Sequence, residues 1–448
     1  MSILDKILAR ANLTETKSKI FKNIFWATLG RVINLLGALL VGILVAKYLG
    51  PENYGLMSYV VSFVSLFQIL ATFGLDNVEI REESKNTEKK DIIIGSAFTI
   101  RLILSFLTII IICITAFINE ADSFTIFLIL LYSVSIIFTS FDVIRNYFTS
   151  IVLNEYVVKV GIARTLLSCA VKLILVFVGD PLVWFVATLV FDSFIGAEGY
   201  YMAYKKKVGT IVGKWKFDYS TTKYLLSQAF PLLLSGAAAT IFLQIDQVMI
   251  GNMIDKESVG FFSIAAKIVE VPMFVPVVLA QTVTPILVRI KKNDECTYLS
   301  KAQMFMNISL WISVIMSICL SALSYWAIYL TFGVAYLPSV LILKILSFKI
   351  IAATLNVISG QILIVDGKQK FFVLRSLSGC IVCILLNLIF IPRFGTIGAA
   401  FIAVVTQFVA GFLIHAILPI YRYMFSIQLK AVLWGWKDLI NIKKLIKE

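Results

Sequence analysis

The sequence predicts an all-α polytopic membrane protein with about twelve transmembrane helices in two six-helix lobes, related by a pseudo-two-fold axis along the membrane normal. Three observations lead to this fold class. Hydrophobic residues make up 60% of the 448 residues and charged residues only 15%, whereas about 25% of a soluble domain is charged. Basic residues concentrate in alternate short loops, as the positive-inside rule requires. A polar hinge between two apolar runs occurs twice, which indicates two similar halves.

The duplication is visible in two pairs of motifs. Gly55, in the hinge after the first apolar run, aligns with Gly260 in the hinge near the middle of the chain, and Arg164 aligns with Arg375. Parallel repeats of this kind place the substrate path of a transporter at the interface between the repeats. We therefore expect a central cavity and transport by alternating access.

Each apolar run is long enough to cross a bilayer, which takes about 20 helical residues. The predicted transmembrane helices comprise residues 20–48, 54–75, 92–117, 124–146, 157–178, 182–204, 224–251, 259–290, 302–325, 338–365, 371–391 and 397–421. The predicted domains are an N-terminal lobe with a short surface helix before its six spans (1–204), a basic cytoplasmic linker (205–223), a C-terminal lobe (224–421) and an amphipathic cytoplasmic tail (422–448).

The distribution of Lys and Arg predicts the orientation in the membrane. About thirty of them fall on the side that carries both termini, and the opposite side holds Lys47, Lys256 and Arg393. Because cytoplasmic loops carry the excess of basic residues, both termini are expected in the cytoplasm. The net charge of +14 is explained by this topology signal, so we expect no nucleic-acid partner.

The chain lacks the residue clusters that are typical of enzymes. Its one histidine, His415, excludes a histidine relay or a histidine metal cluster. Cys380 and Cys383 form a pair on a wholly apolar helix, where packing explains them. The sequence has no GxxxxGK[ST] loop to hold the phosphates of ATP. We expect no enzymatic activity, no cofactor and no metal ion.

Charged residues inside the predicted helices are the candidate functional groups, because charge is costly in a bilayer and usually marks a substrate or ion path. The candidates for binding an anionic substrate are Arg31, Arg101, Arg164, Lys172, Lys267 and Lys349. Arg31 and Arg101 lie about ten residues into their helices, near the midplane. Arg164, Ser168 and Lys172 follow i, i+4, i+8 spacing, which forms one polar stripe able to bind phosphate along its length.

A structural role stays open for some of these cations. Arg164 and Lys172 are also able to pair with Asp192 or Glu198 on the next helix, which would hold the lobe together without contacting substrate.

The embedded acids are candidates for coupling or gating: Asp246, Glu270 and Asp192. Asp246 has no local partner within one helical turn and is therefore the better candidate for a titrating or cation-binding group. Glu270 follows Lys267 by three residues, and these two most simply neutralise each other.

Two glycines and two prolines are candidate hinge residues: Gly55, Gly260, Pro272 and Pro276. Each proline removes a backbone hydrogen bond in a place without water, so it permits bending during gating. Static curvature of the helix is the alternative.

The first hinge and the helix after it resemble a family signature. The stretch LGPENYGLMSYVVSFVSLFQILATFGLDNVEIRE contains an LGPExYG hinge followed by GLDxxxxRE, and IDQVMIG followed by VGFFSIAAKIVEVPMFVP is similar to the corresponding pattern of the second half. The chain is identified on these motifs as resembling the polysaccharide flippases of the multidrug/oligosaccharidyl-lipid/polysaccharide (MOP) exporter superfamily. It departs from the pattern at Lys256, which aligns with Pro51, and at Phe262, where the family often has Tyr.

This resemblance implies the V-shaped MATE-like fold and a flippase that moves undecaprenyl-diphosphate-linked oligosaccharide across the bacterial inner membrane. The expected pathway is O-antigen or capsular polysaccharide synthesis, alongside a polysaccharide polymerase and a chain-length regulator, with membrane lipids as further contacts. Two alternatives stay open, an ion-coupled multidrug exporter on the same fold and a membrane scaffold for glycosyltransferases. The excess of embedded cations favours an anionic cargo over cationic drugs.

Overall fold

A computed structural model of the chain describes the backbone of residues 15–209, 215–368 and 372–440. Side chains are described within these ranges from residue 39 to residue 438 except for Thr87, together with Gly30, Asn34 and Gly37. Every regular element in the described ranges is helical, which confirms the all-α fold class. The surface helix expected near the N-terminus lies mostly outside these ranges.

The α-helices alternate with short connections along the whole chain. They are α1 (Glu15–Thr72), α2 (Asp76–Lys85), α3 (Lys90–Ile118), α4 (Ser123–Ser133), α5 (Ser135–Phe138), α6 (Asp142–Ser150), α7 (Asn154–Val178), α8 (Leu182–Val208), α9 (Tyr219–Met253), α10 (Lys256–Asn293), α11 (Glu295–Thr331), α12 (Ser339–Leu346), α13 (Lys349–Val365), α14 (Phe372–Phe408), α15 (Ile414–Ile417), α16 (Arg422–Trp434) and α17 (Trp436–Ile440). A π-helical turn, Val409–Leu413, joins α14 to α15.

Ten helical stretches in the described residues are long and apolar enough to cross a membrane. The longest two, Leu39–Lys85 and Phe372–Ile417, contain 47 and 46 residues, more than twice the roughly 20 that one crossing needs. The protein is therefore a multi-pass membrane protein, and its helices agree with the prediction of about twelve spans.

Bends in α1 and α14 replace two of the predicted loops. Gly50 adopts φ 71° and ψ 172° inside α1, a conformation open to glycine but strained for residues with a Cβ atom. Pro51 follows it and supplies no N–H, so a second helical segment begins there without leaving a donor unpaired. Gly395 bends α14 in a similar way, with φ 60° and ψ −144°.

The described residues pack into two compact units. Unit 1 contains the chain up to residue 48 and residues 64–236, whereas unit 2 contains residues 49–63 and the chain from residue 237 onward. The second segment of α1 is therefore shared between the units. The division into lobes 1–204 and 224–421 with a linker and tail stays a prediction from the sequence.

A buried ion cluster joins α2, α3 and α6 in unit 1. The guanidinium of Arg101 donates from Nε to Glu79 Oε1 at 2.8 Å and from Nη2 to Asp76 Oδ1 at 2.7 Å. Asn146 donates from Nδ2 to both carboxylates, at 2.9 Å to Asp76 and 2.6 Å to Glu79. Arg101 and Glu79 are 1% and 0% exposed, whereas the Asp76 side chain is 42% exposed, so a fully buried ion pair fixes α2 against α3.

The end of the basic linker is fastened to unit 1. The backbone of Lys216 donates to the carbonyl oxygen of Asp91 at 3.1 Å, and the backbone N–H of Asp218 donates to Ser96 Oγ at 3.1 Å. The Asp218 carboxylate accepts from the hydroxyl of Ser220 and from the backbone and hydroxyl of Thr221. These bonds to the charged form lower the pKa of Asp218 to about 2, so it caps α9 as an anion.

Asp366 joins three helices of unit 2. Its carboxylate accepts from Lys291 at the end of α10, from the hydroxyl of Tyr298 at 2.8 Å and from the hydroxyl of Tyr423 at 2.5 Å. Burial, followed by the hydrogen bond to this carboxylate, raises the pKa of Tyr423 because the phenolate would lie against a fixed anion.

The tail beyond the last span has two faces. The sequence predicts an apolar stripe along this amphipathic tail at Leu429, Val432, Leu433, Trp436 and Ile440. The first four are 39–54% exposed, and the side chain of the fifth lies outside those described. The other face of α16 packs into unit 2, where Gln428 is 0% exposed and donates to the carbonyl oxygens of Leu355 and Gly411. The tail is thus part of the unit 2 core as well as a surface helix.

Removal of the buried cation in the α2 cluster tests how strongly charge fixes this unit. We expect Arg101→Leu to lower the free energy of unfolding by about 3–5 kcal/mol, because Glu79 stays buried without its cation. The melting temperature of the purified protein in detergent measures the loss.

Lys159→Leu is the matched control, since the Lys159 side chain is 55% exposed and that of its partner Glu155 is 32% exposed. A solvent-exposed pair contributes at most about 1 kcal/mol, so this variant should melt near the wild type. Equal melting temperatures for the Arg101 and Lys159 variants would show that the buried cluster does not hold α2.

Candidate functional site

A cavity of about 590 Å³ in unit 1 is lined by the predicted polar stripe of α7. Arg164, Ser168 and Lys172 all line it, as their i, i+4, i+8 spacing predicts. Helix α1 supplies the opposite wall through Gly30 and Asn34. A Cβ atom on Gly30 would lie 2.7 Å from Val158, so the close approach of α1 to α7 depends on a glycine at this position.

Among the described side chains, the charged groups that line this cavity are two cations and one acid. Arg164 Nε lies 3.2 Å from Asp192 Oδ2, and the Arg164 side chain is 44% exposed. Arg164 therefore pairs with one of the two acids suggested by the sequence while much of its guanidinium faces the cavity. Lys172, half-buried one helical turn beyond Ser168, adds the second positive charge.

A further cavity of about 300 Å³ shares Arg164, Asp192 and Tyr200 with the first. It adds polar side chains from four helices of unit 1: Gln68, Tyr132, Thr139, Asp142, Arg145 and Ser193. Asp142 and Arg145 form an ion pair at 3.2 Å. The two cavities together give unit 1 a polar path with Arg164 at its centre.

Two of the predicted substrate-binding cations, Arg101 and Arg31, are not among the described residues that line these cavities. The guanidinium of Arg101 is 1% exposed and is occupied by Glu79 and Asp76, an arrangement that favours a role in holding helices together. Residues 76–91 lie outside the predicted spans, so sequence patterns do not indicate that 76–85 form helix α2 and supply the partners of Arg101. Arg31 lies outside the residues whose side chains are described.

The two candidate hinge glycines meet each other in unit 2. A Cβ atom on Gly55 would lie 1.8 Å from the carbonyl oxygen of Lys256, and a Cβ atom on Gly260 would lie 2.2 Å from that of Pro51. The backbones of α1 and α10 therefore touch where the repeats align. Beside this crossing, Tyr59 donates to Asn252 Oδ1 at 2.6 Å.

Lys267 of α10 forms a hydrogen bond with a tyrosine hydroxyl rather than a close ion pair with Glu270. Lys267 Nζ donates to Tyr54 Oη at 3.0 Å, and no ion pair joins it to Glu270 within 4.0 Å among the described side chains. Glu270 is exposed. The two charges still interact electrostatically, so their mutual neutralisation stays a prediction, with Tyr54 as an additional partner of Lys267.

The predicted prolines do not interrupt their helix. Helix α10 continues from Lys256 to Asn293 through Pro272, Pro276 and Pro285. Their role in bending during gating stays a prediction.

Asp246 lies in a buried polar cluster of unit 2. It is 3% exposed, and its Oδ1 accepts from Asn387 Nδ2 at 2.6 Å and from the thiol of Cys383 at 3.3 Å. Lys349 is close enough to interact with it electrostatically. Asn387 Oδ1 is buried without a hydrogen-bond donor in the described part of the chain, so a second acceptor lies beside the carboxylate.

Unit 2 has its own cavity, of about 380 Å³. It is lined by a cation that is not among the substrate-binding residues predicted from the sequence. Arg375 lines it and is 6% exposed. The residue was recognised in the sequence only as the repeat partner of Arg164, since it lies near the predicted start of its helix. That alignment was the signal that would have identified it.

The glycine crossing provides a test of the hinge. We expect Gly55→Ala to destabilise the protein by about 1–3 kcal/mol or more, because the added methyl group meets backbone that has no rotamer to change. The melting temperature in detergent measures this, with Gly161→Ala as the control. A Cβ atom on Gly161 would meet nothing closer than Asn34 at 3.8 Å, and an unshifted Gly55 variant would contradict the close crossing.

Comparisons with known proteins bear on the family and the fold. A family model described as polysaccharide biosynthesis protein matches residues 20–291. The capsular polysaccharide biosynthesis protein CapF of Staphylococcus aureus is 26% identical over 192 residues. That match covers 42% of this chain and 48% of CapF, so the chain spans about half the length of this relative.

Two solved structures share the fold at 16% identity. One is the lipid II flippase MurJ in an inward closed conformation, with a TM-score of 0.69 over 94% of this chain and 93% of MurJ. The other is an inward-facing multidrug resistance MATE family transporter of the MOP superfamily, with a TM-score of 0.66 over 94% of this chain and 99% of the transporter. The chain belongs to the polysaccharide biosynthesis protein family and has the fold of the MOP superfamily transporters.

Proposed function

We propose that the protein is a flippase that moves undecaprenyl-diphosphate-linked oligosaccharide repeat units across the bacterial inner membrane by alternating access. The product would enter capsular polysaccharide or O-antigen synthesis. The observation that supports this most directly is the cavity of unit 1, where Arg164 and Lys172 of one helix face the same space. A diphosphate carries several negative charges in a place where charge otherwise finds no water, so cations that line a path compensate it.

The lining suits the headgroup of such a substrate in two respects. Arginine presents a planar fork of N–H donors that matches phosphate oxygens, and the exposed part of Arg164 is available for it. Asn34, Asn154, Thr165 and Ser168 supply neutral hydrogen-bonding groups to the same cavity, of the kind that bind sugar hydroxyls. Asp192 holds Arg164 in place at 3.2 Å.

The charge balance distinguishes this function from its rivals. A multidrug exporter on the same fold would bring cationic drugs against a lining with more cations than acids, which repels them. A scaffold for glycosyltransferases requires no cavity lined by half-exposed charge within a membrane-spanning helix. The match to a capsular polysaccharide biosynthesis protein supports an oligosaccharide cargo.

The rest of the arrangement follows from the same proposal. The basic linker and loops would lie on the cytoplasmic side with both termini, where they attract anionic lipid headgroups. A polysaccharide polymerase would receive the flipped repeat units, and a chain-length regulator would act with it. No cofactor is required, since the substrate is moved and not chemically changed.

Loss of the unit 1 cation tests the proposal in cells. We expect Arg164→Ala to abolish surface polysaccharide in a strain whose only copy of the gene carries the change, because the diphosphate loses its bidentate partner. Surface polysaccharide is measured by immunoblot, with the membrane level of the protein measured in parallel. Arg393→Ala, at an exposed arginine beside the bend of α14, is the matched control. Normal polysaccharide in the Arg164 variant would assign this residue a structural role.

Asp246 is proposed to couple transport to a cation. Its carboxylate and the unpaired Asn387 Oδ1 are two acceptors in a buried cluster, and a buried acid binds a proton or a cation more readily than an exposed one. We expect Asp246→Asn to make transport in vesicles insensitive to an imposed proton or sodium gradient. Asp180→Asn, outside the spans, should leave that sensitivity intact. A gradient response unchanged by the Asp246 variant would remove this residue from coupling.

A further inference from the structure

The cavity of unit 2 is the repeat counterpart of the cavity of unit 1. The register that aligns Arg164 with Arg375 also aligns Thr165 with Ser376, and each pair lines the cavity of its own unit. Helices α9 and α14 border the second cavity as α1 and α7 border the first. Both units therefore contain an arginine that lines a cavity at the same position of the repeat.

Unit 2 lacks a counterpart of the acid that pairs with Arg164 in unit 1. In the same register Asp192, the partner of Arg164, aligns with Ala403. Arg375 has no carboxylate within 4.0 Å among the residues that the structure describes. Its guanidinium is held by neutral acceptors only: Nε donates to the carbonyl oxygen of Ala410 at 3.4 Å, and Nη2 donates to the carbonyl oxygen of Asn356 at 3.1 Å and to its side-chain oxygen. A cation 6% exposed in a membrane-spanning helix thus keeps its full charge without an acid beside it.

The Nη1 group of Arg375 lies beside the cavity. Nη1 makes none of the three hydrogen bonds found for this guanidinium, and a Cβ atom on Gly360 would lie 3.8 Å from it. Gly360 lines the cavity, so the absence of a side chain there leaves room next to Nη1. An anion entering the cavity would meet a guanidinium that is already oriented by those three bonds.

A second group in the same cavity lacks a partner. Gln407 lines it and is 7% exposed, and its Oε1 is buried without a hydrogen-bond donor from the described part of the chain. A buried acceptor without a donor is destabilising, and a ligand with a hydroxyl group would supply the missing donor. The π-helical turn Val409–Leu413 begins just after Gln407 and supplies the Ala410 carbonyl that holds Arg375. Such turns are rare in proteins, and those that do occur are often found at functional sites.

The rest of the lining is mainly apolar. It includes Ala239, Phe242, Leu243, Val357, Ile364 and Phe372. We infer that the cavity of unit 2 is an anion site that holds the phosphate group of an amphiphile at Arg375, with a neighbouring hydroxyl of the ligand donating to Gln407. A phosphodiester lipid with a hydroxylated headgroup, such as phosphatidylglycerol, has this chemistry. The inference stands on the geometry of unit 2 and does not require the proposed flippase activity.

Calorimetric titration of the full-length protein in detergent tests the site. The probes are short-chain phosphatidylglycerol and short-chain phosphatidylmethanol, which carry the same charge but differ in headgroup hydroxyls. We expect Arg375→Gln to weaken binding of both lipids about tenfold, the value of a charge-assisted hydrogen bond. Gln407→Leu should weaken phosphatidylglycerol alone, down to the affinity of phosphatidylmethanol. Arg422→Gln, at an exposed arginine beyond the spans, should bind both as the wild type does.

Gly360→Leu keeps the cation and fills the space in front of it, so it tests the site even where the Arg375 variant does not fold. It should also weaken both lipids about tenfold. Wild-type affinity for both lipids in the Gly360 variant, or in a folded Arg375 variant, would overturn the inference. Competition with inorganic pyrophosphate distinguishes a lipid site from a site for free phosphate. Pyrophosphate should not displace the lipid from a lipid site, whereas it should displace the lipid from a site that binds free phosphate. Surface polysaccharide is a separate measurement, so the flippase proposal and this site can fail independently.

Discussion

The structure depends on the cost of charge in a medium without water. Each embedded ion needs a partner within reach, and the partners decide which helices stay together and which charges remain available. Arg101 shows the first outcome, since two acids and an amide around it convert a polar segment into helix α2 and fix it. Arg164 shows the second, because one acid at 3.2 Å holds it while much of its side chain remains open to a cavity.

Sequence patterns were sufficient for the fold because bilayer length and hydrophobic periodicity leave few alternatives. They also placed Arg164, Ser168 and Lys172 on one helix face, since the spacing of an α-helix fixes that relation. They suggested Asp192 as a partner of Arg164, but they did not identify the partners of Arg101 and Lys267. Arg101 pairs with Glu79 from a segment outside the predicted spans, and Lys267 bonds to Tyr54 more than two hundred residues earlier.

The two units show how duplication preserves one element and changes another. An arginine faces a cavity in each, but the acid of unit 1 aligns with an alanine in unit 2. Lys172, in turn, aligns with Cys383, which bonds to Asp246. The same helix position thus contributes a cavity cation in one unit and a buried polar cluster in the other. Such divergence allows the two units to contact chemically different parts of a ligand or of the membrane while they keep one architecture.

The packing of α16 into unit 2 has a consequence for biogenesis. Gln428 donates hydrogen bonds to backbone carbonyl groups of α13 and of the π-helical turn. It is translated after every membrane span of unit 2. Chains generally fold from the N-terminus during synthesis, so these carbonyls lack their final partner while the last spans enter the membrane. Unit 1 ends at residue 236, so all of its described segments are translated before the second half of the chain is made.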